Sequence, residues 1–250
     1  AVCVPGADHP RVEVTAIAAR DAGRAAAFAS RWNIDRVYTC YQQLLSDPYV
    51  DAVYVPLPNG LHGRWTMAAL DAGKHVLVEK PFAANAEEAQ QVAERARRSD
   101  RVVMEAFHWR YHPLADRVID VVRSGAIGEP VRASASLCFP IARRNDIRWN
   151  AALAGGALMD AGCYPVHMVR SALGHLGEPK VEWAEAALRS PGVDRVMRGR
   201  VRFDGGVTAE ITASMWSRRI LAMSLDVIGT DGSVRVVNPI APQFPSWIRI

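Results

Sequence analysis

His75-Val76-Leu77-Val78-Glu79-Lys80-Pro81 is the stretch on which the fold turns. Four apolar residues in a row, closed by a charged pair and a proline, describe a short strand buried on both faces, as strands are in parallel sheets covered by helices. A lysine just past the carboxyl end of such a strand stands where open α/β sheets bind their ligands.

Working outward, the same grammar repeats. Val12 to Arg20 is rich in Val, Thr and Ile and reads as a strand, and the alanine-rich Ala22 to Arg31 reads as a helix. Val50 to Val55 is a strand, and Leu61 to Ala72 is a helix closed by Gly73. Asn85 opens another helix, with Glu88 three residues on as a capping box, and Val102 to Met104 is the next strand. Strands alternating with amphipathic helices predict a parallel sheet with both faces covered.

After about Phe107 the period changes. Val207, Ala209, Ile211, Ala213 and Met215 alternate strictly with Thr208, Glu210, Thr212, Ser214 and Trp216, which predicts a strand with one polar face. Asp204-Gly205-Gly206 and Thr230-Asp231-Gly232 are hairpin signals, the second between Met223–Ile228 and Val234–Val237. The expected fold is therefore α/β: a parallel sheet domain over residues 1–108, followed by an α+β domain with an antiparallel sheet over 109–250; the resemblance given below implies that the first is a Rossmann-type domain and that the second sheet is open-faced. The open face leaves room for solvent or a partner subunit.

Composition narrows the function classes. The chain has 250 residues, half of them hydrophobic, enough for two modest cores. Its net charge of +4 is scattered with no basic block, which argues against nucleic acid as a partner. No apolar run reaches the ~18 residues of a membrane helix, so no membrane partner is expected. Four widely spaced cysteines without a Cys-x-x-Cys suit a reducing cytoplasm and give no zinc site. Glu105, His108 and His112 have ligand-like spacing, but they follow a strand-like segment, and packing without a metal is the expectation.

Several ordered segments carry a resemblance: Ala18-Ala19-Arg20-Asp21, Pro56-Leu57-Pro58-Asn59 through His62, Ala72 to Val76, Glu79-Lys80-Pro81, Met104 to Phe107, and Gly155 to Tyr164. Together they resemble the Gfo/Idh/MocA oxidoreductases, most closely the branch of dimeric dihydrodiol dehydrogenases and sugar oxidoreductases. Members of that family open with a strand and a Gly-x-Gly-x-x-Gly turn that cradles the cofactor pyrophosphate. Here Ala1 to Pro5 resembles the end of the helix after that turn, and the tail stops soon after Pro239-Ile240-Ala241-Pro242-Gln243, so the Rossmann domain is expected to be N-terminally incomplete.

The resemblance implies hydride transfer between nicotinamide and a secondary alcohol of a cyclic diol, sugar or polyol. Lys80 is implied to orient cofactor and substrate, and Tyr164 to act as general acid/base. An unperturbed phenol titrates near 10, so Tyr164 needs a cation such as Lys80 to lower its pKa. Asp160 is implied to bond the substrate hydroxyl or orient Tyr164; four residues apart, the two share a face of a continuous helix, although Asp160 also reads as a helix N-cap. His167, Arg110 and Trp149 are further candidates for the substrate pocket, each with plain packing or exposure as the alternative.

Pro56, Leu57, Pro58, Asn59 and His62 are implied to wall the nicotinamide, with Glu79 and Pro81 beside Lys80. Arg20, at the end of the second Rossmann strand, suits the 2′-phosphate of NADP; the neighbouring Asp21 keeps NAD as the alternative. A homodimer or higher homo-oligomer through the antiparallel sheet is implied. Two other activities stand beside this one: a nicotinamide-dependent glycoside hydrolase of the same family, and a binding protein or inactive fragment lacking the glycine loop.

Overall fold

The protein is described here from a computed structural model covering residues 3–218, 221–241 and 245–250. Ala1 and Val2, and Pro242 and Gln243 of the tail, lie outside the described residues. The chain divides into two compact units, residues 1–57 with 61–105, and residues 58–60 with 106–250.

The first unit alternates helices and strands: α1 (Cys3–Ala7), β1 (Ala16–Ala18), α2 (Ala22–Trp32), β2 (Arg36–Tyr38), α3 (Tyr41–Leu45), β3 (Ala52–Val55), α4 (His62–Asp71), β4 (His75–Val78), α5 (Ala86–Arg98) and β5 (Val103–Glu105). All pairings are parallel, but in two sheets, β1-β2 and β3-β4-β5, because no described strand pairs with both β1 and β3. The expected Val12–Arg20 strand shrinks to three residues; Val12 is exposed, so no packing extends the ladder there.

Caps set the helix ends. The Asp21 side chain accepts from Arg24 N–H and starts α2, and Asn33 ends it in the left-handed region. Asn85 accepts from Glu88 N–H, while the Glu88 carboxylate reaches one residue further than a standard capping box, to Ala84 N–H. Val53, Val55, Leu70, Val76 and Val78 lie in the core, and truncating Leu70 to alanine costs about 2–5 kcal/mol.

The second unit holds α6 (Pro113–Arg123), β6 (Pro130–Cys138), a π-helical turn (Leu158–Gly162), α7 (Cys163–Leu173), β7 (Lys180–Ser190), β8 (Val193–Arg202), β9 (Thr208–Ser214), β10 (Ala222–Gly229), β11 (Ser233–Val237) and β12 (Trp247–Arg249). Strand order is β12-β11-β10-β6-β9-β8-β7, antiparallel except for the parallel β6·β9 pair. Ala135, Ile211 and Leu225 align across three strands and bury one face, in a core shared with Val118, Met168 and Leu173 of α6 and α7. The other face is polar, with Arg200 paired to Glu210 and Arg235 to Asp226. Every residue of β7 is exposed. No helix among the described residues is long and apolar enough to cross a membrane.

Candidate functional site

In the first unit the candidate residues sit at the carboxyl ends of β3, β4 and β5. Val76 and Val78 anchor β4 in the core, and Glu79 and Lys80 follow directly. Glu79 is fixed by three bonds: its N–H donates to Val55 O, one carboxylate oxygen accepts from Tyr54 Oη at 2.6 Å, and the other accepts from Lys80 N–H at 3.3 Å. Burial, then the bond to Glu79, raise the Tyr54 pKa, so this phenol stays neutral and donates.

Glu105 closes β5, beside Val78 in the register. Its carboxylate accepts from Phe82 N–H on the loop after Lys80. Burial raises its pKa to about 7, against the pull of that bond and of the Lys80 charge. The Lys80–Pro81 peptide is cis.

His62 is buried at the start of α4. Its Nε2 lies 2.6 Å from Leu57 O and its Nδ1 2.7 Å from Pro81 O, so the ring ties the turn after β3 to the turn after β4. It braces Leu57 and Pro81, and its own nitrogens face their carbonyls. Arg20 is exposed just before α2, whereas the Asp21 carboxylate is engaged in capping that helix. The Arg20 guanidinium suits a 2′-phosphate, while Asp21, whose cap uses one carboxylate oxygen, can still accept from a ribose hydroxyl.

In the second unit Asn59 Nδ2 donates to Ala154 O, and Gly60 packs on Leu153, which places Pro58–Gly60 against the loop before the π-turn. Gly155 lies so close to the backbone that an added Cβ would stand 2.5 Å from Arg148 O. Gly156 has φ 128°, and a side chain there would strike Asp194. Asp194 accepts from Leu158 N–H at 2.9 Å and so starts the π-turn.

Asp160 lies inside that π-turn, and α7 begins only at Cys163. The expected shared face of Asp160 and Tyr164 on one continuous α-helix is thus corrected, because a π-turn has more residues per turn. The N-cap alternative is not realised either. Arg148 Nη1 lies 3.8 Å from the Asp160 carboxylate while its Nε and Nη2 hold Asp146 at 2.9 and 3.0 Å. The Arg148 bonds lower the Asp146 pKa to about 2, and Asp146 raises that of Arg148.

Tyr164 is buried, edge-on to Phe107 with centroids 5.3 Å apart, and its hydroxyl lies 3.5 Å from His108 Nδ1. His167 is stacked on Phe107 at 4.1 Å, and its Nδ1 accepts from Trp109 Nε1 at 3.2 Å. Burial, with the charges of Arg110 and Arg170, lowers its pKa to about 4. This is a packed, neutral histidine. Arg110 pairs with Asp116 at 2.7 Å. Trp149 is buried under the Arg189 guanidinium, and its Nε1 has no hydrogen-bond partner among the described residues.

Sequence reasoning missed Arg148, Asp194 and His108 in these positions. His112 caps α6 by accepting from Leu114 N–H, and no cluster of three His, Cys, Asp or Glu side chains suited to a metal occurs among the described residues.

Residues 4–107 match the family described as "Oxidoreductase family, NAD-binding Rossmann fold", and residues 116–235 match the "GFO/IDH/MocA C-terminal domain". D-xylose 1-dehydrogenase (NADP(+)) 2 of Haloferax volcanii is 40% identical over 213 residues, which are 84% of this chain and 64% of that protein. The chain thus spans less than two thirds of that relative. Trans-1,2-dihydrobenzene-1,2-diol dehydrogenase of Mus musculus is 33% identical over 242 residues, 96% of this chain and 70% of that one. A 3-ketoreductase from Actinomadura kijaniata, solved with NADP and TDP-benzene, aligns with a TM-score of 0.88 at 31% identity, over 99% of this chain and 79% of that one.

Proposed function

The chain belongs to the Gfo/Idh/MocA oxidoreductase family, and from that premise we propose an NADP-dependent oxidoreductase acting on a secondary alcohol or ketone of a sugar or cyclic diol. The observation that carries this reading is Tyr164, a buried phenol whose hydroxyl meets a histidine nitrogen. A phenol so placed can exchange the proton of a substrate hydroxyl, and general acid/base help of this kind is worth ~10²–10⁴-fold.

Bound nicotinamide supplies the hydride acceptor or donor. Arg20 would hold its 2′-phosphate, and Pro56, Leu57, Pro58, Asn59, Glu79 and Pro81 would shape its surroundings, with His62 as the brace of Leu57 and Pro81. Lys80 contributes a cation for the substrate oxygen, and Asp160, held by Arg148, accepts from a substrate hydroxyl. Trp149 Nε1, buried and without a partner among the described residues, is a candidate donor to a further sugar hydroxyl. Arg110 and His167 have partners of their own, which support peripheral and packing roles.

Reduced, dispersed cysteines support a cytoplasmic location. The exposed Val181, Trp183 and Leu188 of β7 support a homo-oligomer through the sheet.

The test is a titration of NADPH and NADH, followed by energy transfer from the seven tryptophans, and then a sugar and diol panel. NADPH-selective binding with turnover of a secondary alcohol is the expected result. Release of a sugar with no net change in NADPH would replace this reading by glycoside hydrolysis.

A further inference from the structure

His108 is exposed, Tyr164 is buried, and their rings meet edge-on with centroids 5.9 Å apart. The far nitrogen of His108, Nε2, lies 2.6 Å from Ile240 O. A carbonyl oxygen only accepts, so Nε2 carries the hydrogen, and in the neutral ring Nδ1 is left as a bare acceptor. The Tyr164 hydroxyl, 3.5 Å away, donates to it; such bonds are often long in a resting site and tighten with substrate.

The carbonyl that fixes this tautomer is itself held. Asn238, at φ 54°, donates from Nδ2 to Ala241 O and accepts at Oδ1 from Ala241 N–H, bracketing Ile240. The arrangement follows the logic by which a buried acceptor orients a histidine for a neighbouring hydroxyl.

We propose that His108 is the proton relay of Tyr164, a positioning residue that carries the hydroxyl proton between the buried phenol and solvent. This rests on the assignment of Tyr164 as acid/base under Proposed function. In the oxidation direction the carbinol carbon loses hydride to the nicotinamide and the substrate O–H proton moves to the Tyr164 oxygen. In the same step the original Tyr164 proton moves to His108 Nδ1. The imidazolium so formed donates from both nitrogens and releases its Nδ1 proton to water. Reduction runs the same transfers backwards.

Other groups around the ring do not replace it. On its own turn Arg110 is paired with Asp116, and Tyr111 is exposed. From α7, His167 presents Nδ1 to Trp109 and Ser171. His112 caps α6, and residues 238–241 bring no charge.

The test compares wild type, His108→Gln, His108→Ala and Tyr164→Phe in the full-length protein, with NADPH affinity and thermal unfolding as controls on folding. His108→Gln is expected to lower kcat about 10–100-fold with little change in KM, and to change the pH profile of kcat. Added imidazole is expected to restore turnover to His108→Ala, a response that loss of packing alone cannot give. A folded His108→Gln with an unchanged kcat and pH profile overturns the relay. So does a loss of kcat with neither a changed profile nor imidazole rescue. Full activity in Tyr164→Phe would instead sink the acid/base assignment beneath it.

Discussion

Arg148 joins two carboxylates: its guanidinium grips Asp146 with two hydrogen bonds and reaches Asp160 with the remaining nitrogen at 3.8 Å. Asp160 is thereby ion-paired with a residue twelve positions earlier in the chain. Arg148→Lys keeps the charge but loses the fork, and is expected to lower kcat about tenfold with NADPH binding unchanged. Combined with Asp160→Asn it should add little, because both act through one contact. Additive losses in that double-mutant cycle would show that Arg148 acts elsewhere.

Glu105 gives the first unit a pH dependence. Its folded pKa is raised from 4.5 to about 7 by burial, so the folded state holds its proton longer than the unfolded chain does. The stability this contributes is complete below about 4.5 and is lost as pH rises through 7. Urea unfolding from pH 4.5 to 8 should show a steeper decline for wild type than for Glu105→Gln. Parallel curves would remove Glu105 as the cause.

His167 has the opposite sign. Its folded pKa is lowered from 6.5 to about 4, so its contribution is present above 6.5 and lost as pH falls through 4. The His167 ring resonances should stay those of a neutral imidazole down to pH 5. A midpoint near 6.5 would contradict the packing between Phe107 and Trp109.

Arg20 sets cofactor choice under the proposed function. Losing one charge-assisted contact to a 2′-phosphate costs about 1.5–3 kcal/mol. Arg20→Ala should therefore weaken NADPH about 10- to 100-fold while leaving NADH nearly unchanged. Equal weakening of both would mean that Arg20 supports the fold of the loop before α2.

What could be read from the sequence was what burial writes into local pattern. Val207 to Met215 alternates because β9 has one buried face, and the β4 run is continuous because one face is buried and the other partly covered. Lys180–Ser190 carries no such signal, since β7 is exposed throughout and its Ala and Glu residues favour helix in isolation. The Asp160 spacing misled because the π-turn depends on Asp194, thirty-six residues beyond Leu158. His108 has ligand-like spacing where packing without a metal is the expectation, and the Ile240 carbonyl that its Nε2 meets lies 132 residues away. Contacts of that range leave no periodicity to read.

Gly155 and Gly156 are walled in by the Arg148 carbonyl and by Asp194. Single substitutions at either position are filtered out as folding defects before they can alter what the protein accepts. Change at this loop then calls for a shift of backbone, by insertion or deletion, because exchange at Asp194 relieves neither the Gly155 backbone contact nor the positive φ of Gly156.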